Sequence, residues 1–254
     1  MENENLKLSK KERWEARKQE RTDAASGLRR KRLIKRILLW AIALTALGGS
    51  VLGLALIVMN SESLNKPGDL TIPVSGADWS KGPAEAQAVL VEYSDFQCPA
   101  CKSYHPLLKQ LNEEFPGKIK FVYRHFPLSQ IHQNAQLAAY AAEAAGLQGK
   151  FWEMHDLIFD GQEKWSIETA RDAANDFIHY AESLDLDSGK LASDMDLSEI
   201  KQKVDLSYAG GSSAGVNSTP TFFLNGKKIP NPRTYDEFKK IIDAVLGEAG
   251  DSNS

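Results

Sequence analysis

The chain has 254 residues, 42% hydrophobic and 26% charged, which is enough apolar material for a globular core and excludes a disordered or collagen-like chain. The net charge of −3 hides a division: residues 1–36 carry 13 Lys+Arg against 6 Asp+Glu, a net +7, and the remainder carries 18 against 28, a net −10. Two cysteines exclude a scaffold stapled by several disulfides, and nothing beyond the charge of the basic arm points to nucleic acid, so no such partner is expected.

The basic arm opens with "SKKERWEARKQER", a polar stretch in which Ser9 and Glu12 fit a capping box, so a solvated helix is expected. "RRKRLIKR" (Arg29–Arg36) then abuts "ILLWAIALTALGGSVLGLALIVM" (Ile37–Met59), a run free of charge. A bilayer core needs ~20 apolar residues, so this run reads as a transmembrane helix. A cleaved signal peptide would carry a shorter apolar region behind a short basic stretch, so an uncleaved signal-anchor is the expectation. The positive cluster puts the N-terminus in the cytoplasm and everything after Met59 outside, with Arg29–Arg36 drawn to anionic lipid. Gly49 and Gly53 form a G-x-x-x-G pattern that can pair such helices, though small residues are common in them.

Residues 60–86 are rich in Ser, Gly, Pro and Asp and read as a linker to a folded domain over 87–250. "AVLVEYSD" (Ala88–Asp95) fits a buried strand, Pro99 opens a helix to about Asn112, and "KIKFVYRHFPL" (Lys118–Leu128) is a second strand. Helical stretches follow at Asn134–Gly146, Lys150–Gly161, Ile167–Leu184 and Leu197–Ala209. "TPTFFLNGKKI" (Thr219–Ile229) reads as two strands joined at Asn225-Gly226, and Thr234–Gly250 as a closing amphipathic helix. The expected fold is α/β, with a βαβ unit in front, a hairpin behind, and a helical insertion at about 130–215 between them.

Both cysteines lie in "EYSDFQCPACKSYH" (Glu92–His105). Cys98 follows a strand and precedes a helix, where free N–H groups and the helix dipole favour a thiolate. Cys101 is about one turn further on, so the two sulfurs can close a small ring. Attack on a partner through a mixed disulfide, then resolution by the second thiol, is the reaction this spacing allows. Three plainer readings stand beside it. A structural disulfide closing so short a loop removes little unfolded-state entropy. A metal site built from Cys98, Cys101 and His105 lacks the second cysteine pair that a structural zinc site prefers. Two unrelated free thiols would tend to oxidise outside the cytoplasm.

"FQCPAC" after "VLVEYSD", with "NSTPTFF" near the end, resembles the thioredoxin superfamily and within it the DsbA-like thiol–disulfide oxidoreductases, over about Asp78 to Gly247. The resemblance implies that Cys98 is the nucleophile and the exposed sulfur, Cys101 the buried resolving thiol, and Pro220 a cis-proline facing them, with the Thr219 main chain beside the sulfurs. Taken alone, Pro220 would read as a strand start. Glu92, in the strand six residues before Cys98, would be a buried acid exchanging a proton with Cys101; its plainer reading is an edge position facing water. Ala100 departs from the histidine found there in the best-known DsbA proteins, leaving the thiolate less stabilised and the oxidant weaker. His105 reads as a surface or packing residue, and His125, His132, His155 and His179 carry no specific signal.

The resemblance implies an enzyme needing no cofactor, acting on exported proteins with reduced cysteines and reoxidised by a membrane partner, a quinone-linked oxidase. A reductase or isomerase using the same dithiol, or a non-enzymatic membrane-anchored binding protein with an inert disulfide, are the alternatives.

Overall fold

The computed structural model describes residues 68–251; the basic tail, the apolar run Ile37–Met59 and the first part of the expected linker lie outside the described residues. Among the described residues no helix is long and apolar enough to cross a membrane.

Five strands form one sheet: β1 (Trp79–Lys81), β2 (Ala88–Ser94), β3 (Ile119–His125), β4 (Thr221–Leu224) and β5 (Lys227–Ile229), in the order β1-β3-β2-β4-β5. Helix α1 (Pro99–Glu114) connects β2 to its parallel neighbour β3, completing the βαβ unit. β4 adds antiparallel to the other side of β2, so β2 is central and closed off by a strand on each flank. Its near-continuous apolar sequence is what a strand covered on both faces requires. The hairpin turns at Asn225 and Gly226, whose φ values of 48° and 80° suit a two-residue turn between twisted strands.

The two faces of the sheet follow the period of two. Leu90, Phe121, Phe222 and Leu224 pack under α1 and the last helix, α8 (Tyr235–Asp251), with Leu108, Leu111, Phe238 and Ile242. Val91, Tyr93, Val122 and Phe223 face the opposite way, with Phe126, Ala214 and Val216.

The insertion is α2 (Ala135–Leu147), α3 (Phe151–Asp160), α4 (Gln162–Trp165), α5 (Ala170–Ser183), α6 (Ser188–Asp194) and α7 (Ser198–Ser213). Helix α2 is alanine-rich and buried along most of its length, as befits a helix with neighbours on several sides. Thr169 and Asp187 cap α5 and α6 by accepting from Asp172 N and Lys190 N. Helix α7 approaches the sheet at Gly211, where a Cβ would stand 2.7 Å from Phe126 and 2.9 Å from Tyr93.

The linker expected over 60–86 ends too late. Trp79–Lys81 pairs antiparallel with β3. The Trp79 ring stacks on Phe151 at 4.4 Å and its Nε1 donates to Glu143 Oε1 at 2.8 Å. Arg124 fixes the same segment by donating to both Asp78 carboxylate oxygens, at 2.8 and 3.0 Å, and to the carbonyls of Ile72 and Pro73. Ser, Gly and Pro punctuate the stretch, but its few apolar side chains find partners far along the chain. Helices α4 and α6 are likewise absent from the sequence reading, each too short for periodicity to show.

Candidate active site

Cys98 is the N-cap of α1, in extended conformation at φ −73° and ψ 121°, with Pro99 opening the first turn. The turn that delivers it is tied by Cys98 N donating to Asp95 O at 3.0 Å. Asp95 itself is closed off: Oδ1 accepts from Gln97 N at 2.8 Å, and Oδ2 accepts from Leu128 N at 2.9 Å and contacts His132 Nδ1 at 2.7 Å. Asp95 N points at Cys101 Sγ, 3.5 Å away.

Both cysteines are free thiols. Cys98 keeps 7% of its surface and Cys101 none, so the ranking is as the resemblance implies but the outer cysteine is more enclosed than expected. The neighbour that encloses it is the loop before β4: Cys98 Sγ lies 3.4 Å from Thr219 O, and the Thr219–Pro220 peptide bond is cis. Thus Cys98, Cys101, Thr219 and Pro220 come together from positions 121 residues apart.

The two thiols are driven apart electrostatically. The Cys101 thiol beside Cys98, with the N–H groups of Cys101 and Ala100 at the helix start, outweighs burial and lowers Cys98 to about 5. Burial first, then the same shared hydrogen bond, pushes Cys101 well above the ordinary thiol range. At neutral pH the outer sulfur is an anion and the inner one holds the proton.

Glu92 is on the central strand, opposite Tyr123 and Phe222, and only 2% exposed, so its plainer reading as an edge position does not hold. Burial pushes its carboxyl up to about 8. It lines a cavity of about 170 Å³ together with Cys101, which places it behind the inner sulfur.

Residues without a sequence signal complete the site. Gln162 donates from Nε2 to Phe96 O at 2.6 Å and Cys98 O at 3.0 Å. Gln97 donates to Ser166 O and accepts from Asn134 N, each at 2.7 Å. His105, half-buried, stacks on Phe159 at 5.3 Å, in keeping with a packing role. His155 is buried against Asp156, with Nδ1 2.9 Å from Oδ1. Asp95 could have been suspected from its place before the paired cysteines; the glutamines and His155 could not, since their partners are distant in sequence. Among the described residues, His105, His155 and Asp156 bring three potential metal donors within 4.8 Å of one another. Asp156 already bonds His155 and faces Lys109 Nζ at 3.7 Å, so the set is arranged as an internal hydrogen-bonded cluster.

A family described as Thioredoxin matches residues 75–244. The chain is 38% identical over 186 residues to the Na(+)/H(+) antiporter NhaA 3 of Salinispora tropica, covering 71% of this chain and 27% of that protein. It therefore spans about a quarter of the length of this curated relative. Oxidised BdbD from Bacillus subtilis superposes with a TM-score of 0.63 at 23% identity, over 72% of this chain and 98% of the other. Alpha-DsbA1 from Wolbachia pipientis superposes with a TM-score of 0.64 at 20% identity, over 73% and 98%.

Proposed function

The chain belongs to the thioredoxin family, with the fold of the DsbA-like thiol–disulfide oxidoreductases, and from that premise we propose that it oxidises paired cysteines of exported proteins from the outer face of a membrane. The observation that carries the chemistry is the split between an acidic Cys98 and a proton-holding Cys101 at one helix start. A substrate thiolate attacks Cys98 Sγ of the oxidised enzyme. The bond to Cys101 breaks, and Cys101 leaves with the electron pair and takes a proton. The substrate's second thiolate then attacks the mixed disulfide and expels Cys98 as a thiolate, a good leaving group because its pKa is low. The enclosing Thr219–Pro220 loop supplies backbone against which a substrate strand can lie, and Glu92, which lines the same cavity as Cys101, is the acid to exchange its proton. No organic cofactor enters these steps.

The charge-free run Ile37–Met59 behind Arg29–Arg36 supports a single-pass anchor with its N-terminus in the cytoplasm. Relatives named as antiporters, which are membrane proteins, support a membrane setting. Ion antiport itself is not carried over, since the match takes in 27% of the first of them. Reoxidation calls for a partner, for which a quinone-linked integral membrane oxidase is the reading the family resemblance favours.

The test is oxidation of a reduced dithiol peptide by the oxidised full-length protein, followed by mass spectrometry. Wild type should transfer its disulfide stoichiometrically, and Cys98→Ser should transfer none; undiminished oxidation by Cys98→Ser would refute the assignment. Ala100 favours a second reading, electron flow the other way, because it offers no charge to the thiolate. Equilibration with glutathione decides between them: a potential near that of thioredoxin, about −270 mV, would make the protein a reductase.

A further inference from the structure

The proposed cycle moves a proton as well as electrons. When a thiolate attacks Cys98 Sγ, the electron pair of the broken disulfide passes to Cys101 Sγ, which binds one proton. In the return step, after Cys98 has attacked the disulfide of the oxidising partner, Cys101 S–H gives up that proton. Its sulfur then attacks Cys98 Sγ, and the partner's sulfur leaves with the pair. Each turnover thus carries a proton to and from a side chain with no exposed surface. Glu92 can hold it briefly but is itself closed to solvent.

The cavity behind Cys101 offers a route. Glu92, Cys101, His105, Lys109, His155 and Asp156 all line it, with Cys101, His105 and Lys109 one turn apart along α1. At about 170 Å³ it has room for several water molecules. His155 and Asp156 are consecutive on α3 but differ in access, their side chains 5% and 25% exposed. The Asp156 carboxylate accepts from His155 Nδ1–H, which sets the tautomer and leaves Nε2 as an acceptor. That Nε2 is buried and has no protein partner, an expensive state for an imidazole nitrogen unless the cavity serves it.

We propose that His155, held by Asp156, passes protons between solvent and the Glu92–Cys101 pair through this cavity. The inference rests on the dithiol reading above. His155 does not touch the sulfurs; it is a positioning residue for the proton. Burial lowers it to about 4, so the ring is neutral at working pH and accepts at Nε2 while Nδ1–H leans on Asp156. Burial would raise Asp156, but the His155 hydrogen bond and the nearby charges outweigh it and bring it down to about 2. The charges facing the pair are Lys81 from β1, Glu92 from β2, and His105, Lys109 and Glu113 from α1; Tyr123 from β3 packs against the His155 ring at 4.9 Å, and Asp160 lies on the same helix.

The experiment follows full-length reduced protein reacting with dithiobis-nitrobenzoate in a stopped-flow instrument. The first chromophore released reports attack by Cys98, and the second reports resolution by Cys101. His155→Gln is expected to slow the second release about 10- to 100-fold at neutral pH and to flatten its pH profile. The first release and the thiolate absorbance titration of Cys98 should stay as in wild type. Asp156→Asn, at the more exposed end, keeps the side chain's shape and should slow the second release several-fold. Glu92→Gln combined with His155→Gln should cost no more than the larger single change, as for groups on one path. The proposal is overturned if both single variants leave the second release unchanged, or if both phases slow together. Absence of the first release in wild type would instead overturn the dithiol reading on which it rests.

Discussion

Glu92 has its carboxyl enclosed on a central strand, so its neutral form is favoured in the fold and its pKa rises to about 8. Between the ordinary carboxylate value and that figure, the native state keeps a proton that the unfolded chain has released. Stability from this group therefore falls as pH rises through the window, is unaffected below it, and is lowest above about 8. Cys98 runs the other way in the reduced protein: its lowered pKa adds stability above the ordinary thiol range, lost as pH falls through about 5. Oxidation removes the thiol and leaves Glu92 alone. In oxidised protein Glu92→Gln should raise stability by about 2–4 kcal/mol near pH 8 and leave it unchanged near pH 4, read from urea midpoints. A Gln variant no more stable at the higher pH would show that burial is not what governs this carboxyl.

The element that presents Cys98 is held by the insertion as well as by the sheet. Gln162 on the short helix α4 donates to the carbonyls of Phe96 and Cys98, and Gln97 in the loop reaches back to Ser166 and Asn134. A second tie runs through Glu143 on α2, which accepts from Trp79 of β1 and Lys203 of α7 and contacts His125 of β3. Replacing the Gln162 amide by an apolar side chain leaves two buried carbonyls without that donor, at about 1–3 kcal/mol. Gln162→Leu should accordingly lower the urea midpoint and speed alkylation of Cys98; an unchanged midpoint would mean that the loop holds its shape without the insertion. Strand, helix, strand, helical block, hairpin and helix were all legible in order, because long periodic runs and Asn225-Gly226 announce themselves locally. β1 was not, since three residues among Ser, Gly and Pro carry no pattern until β3 and Phe151 supply their partners.

At the scale of the whole molecule, the proposed anchor at Ile37–Met59 would place the dithiol on one side of a bilayer. Full-length protein in intact cells should remain with membranes through alkaline carbonate, and its reduced Cys98 should react with a membrane-impermeant maleimide without lysis. Labelling that requires lysis would reverse the orientation read from Arg29–Arg36.

The sequence by itself determined the reactive pair, its place at a helix start, the order of the main elements and the charge asymmetry around Ile37–Met59. All of these are local properties, set by spacing, caps and composition. Tertiary structure decided the rest. It made Glu92 a buried acid by flanking β2 on both sides, brought Thr219 against Cys98 from 121 positions away, and turned part of an apparent linker into a strand. It also set His155 and Asp156 on the wall of a cavity behind Cys101. Burial, and with it the protonation of every group in the site, depends on which distant surfaces close over a residue, and no stretch of sequence states that on its own.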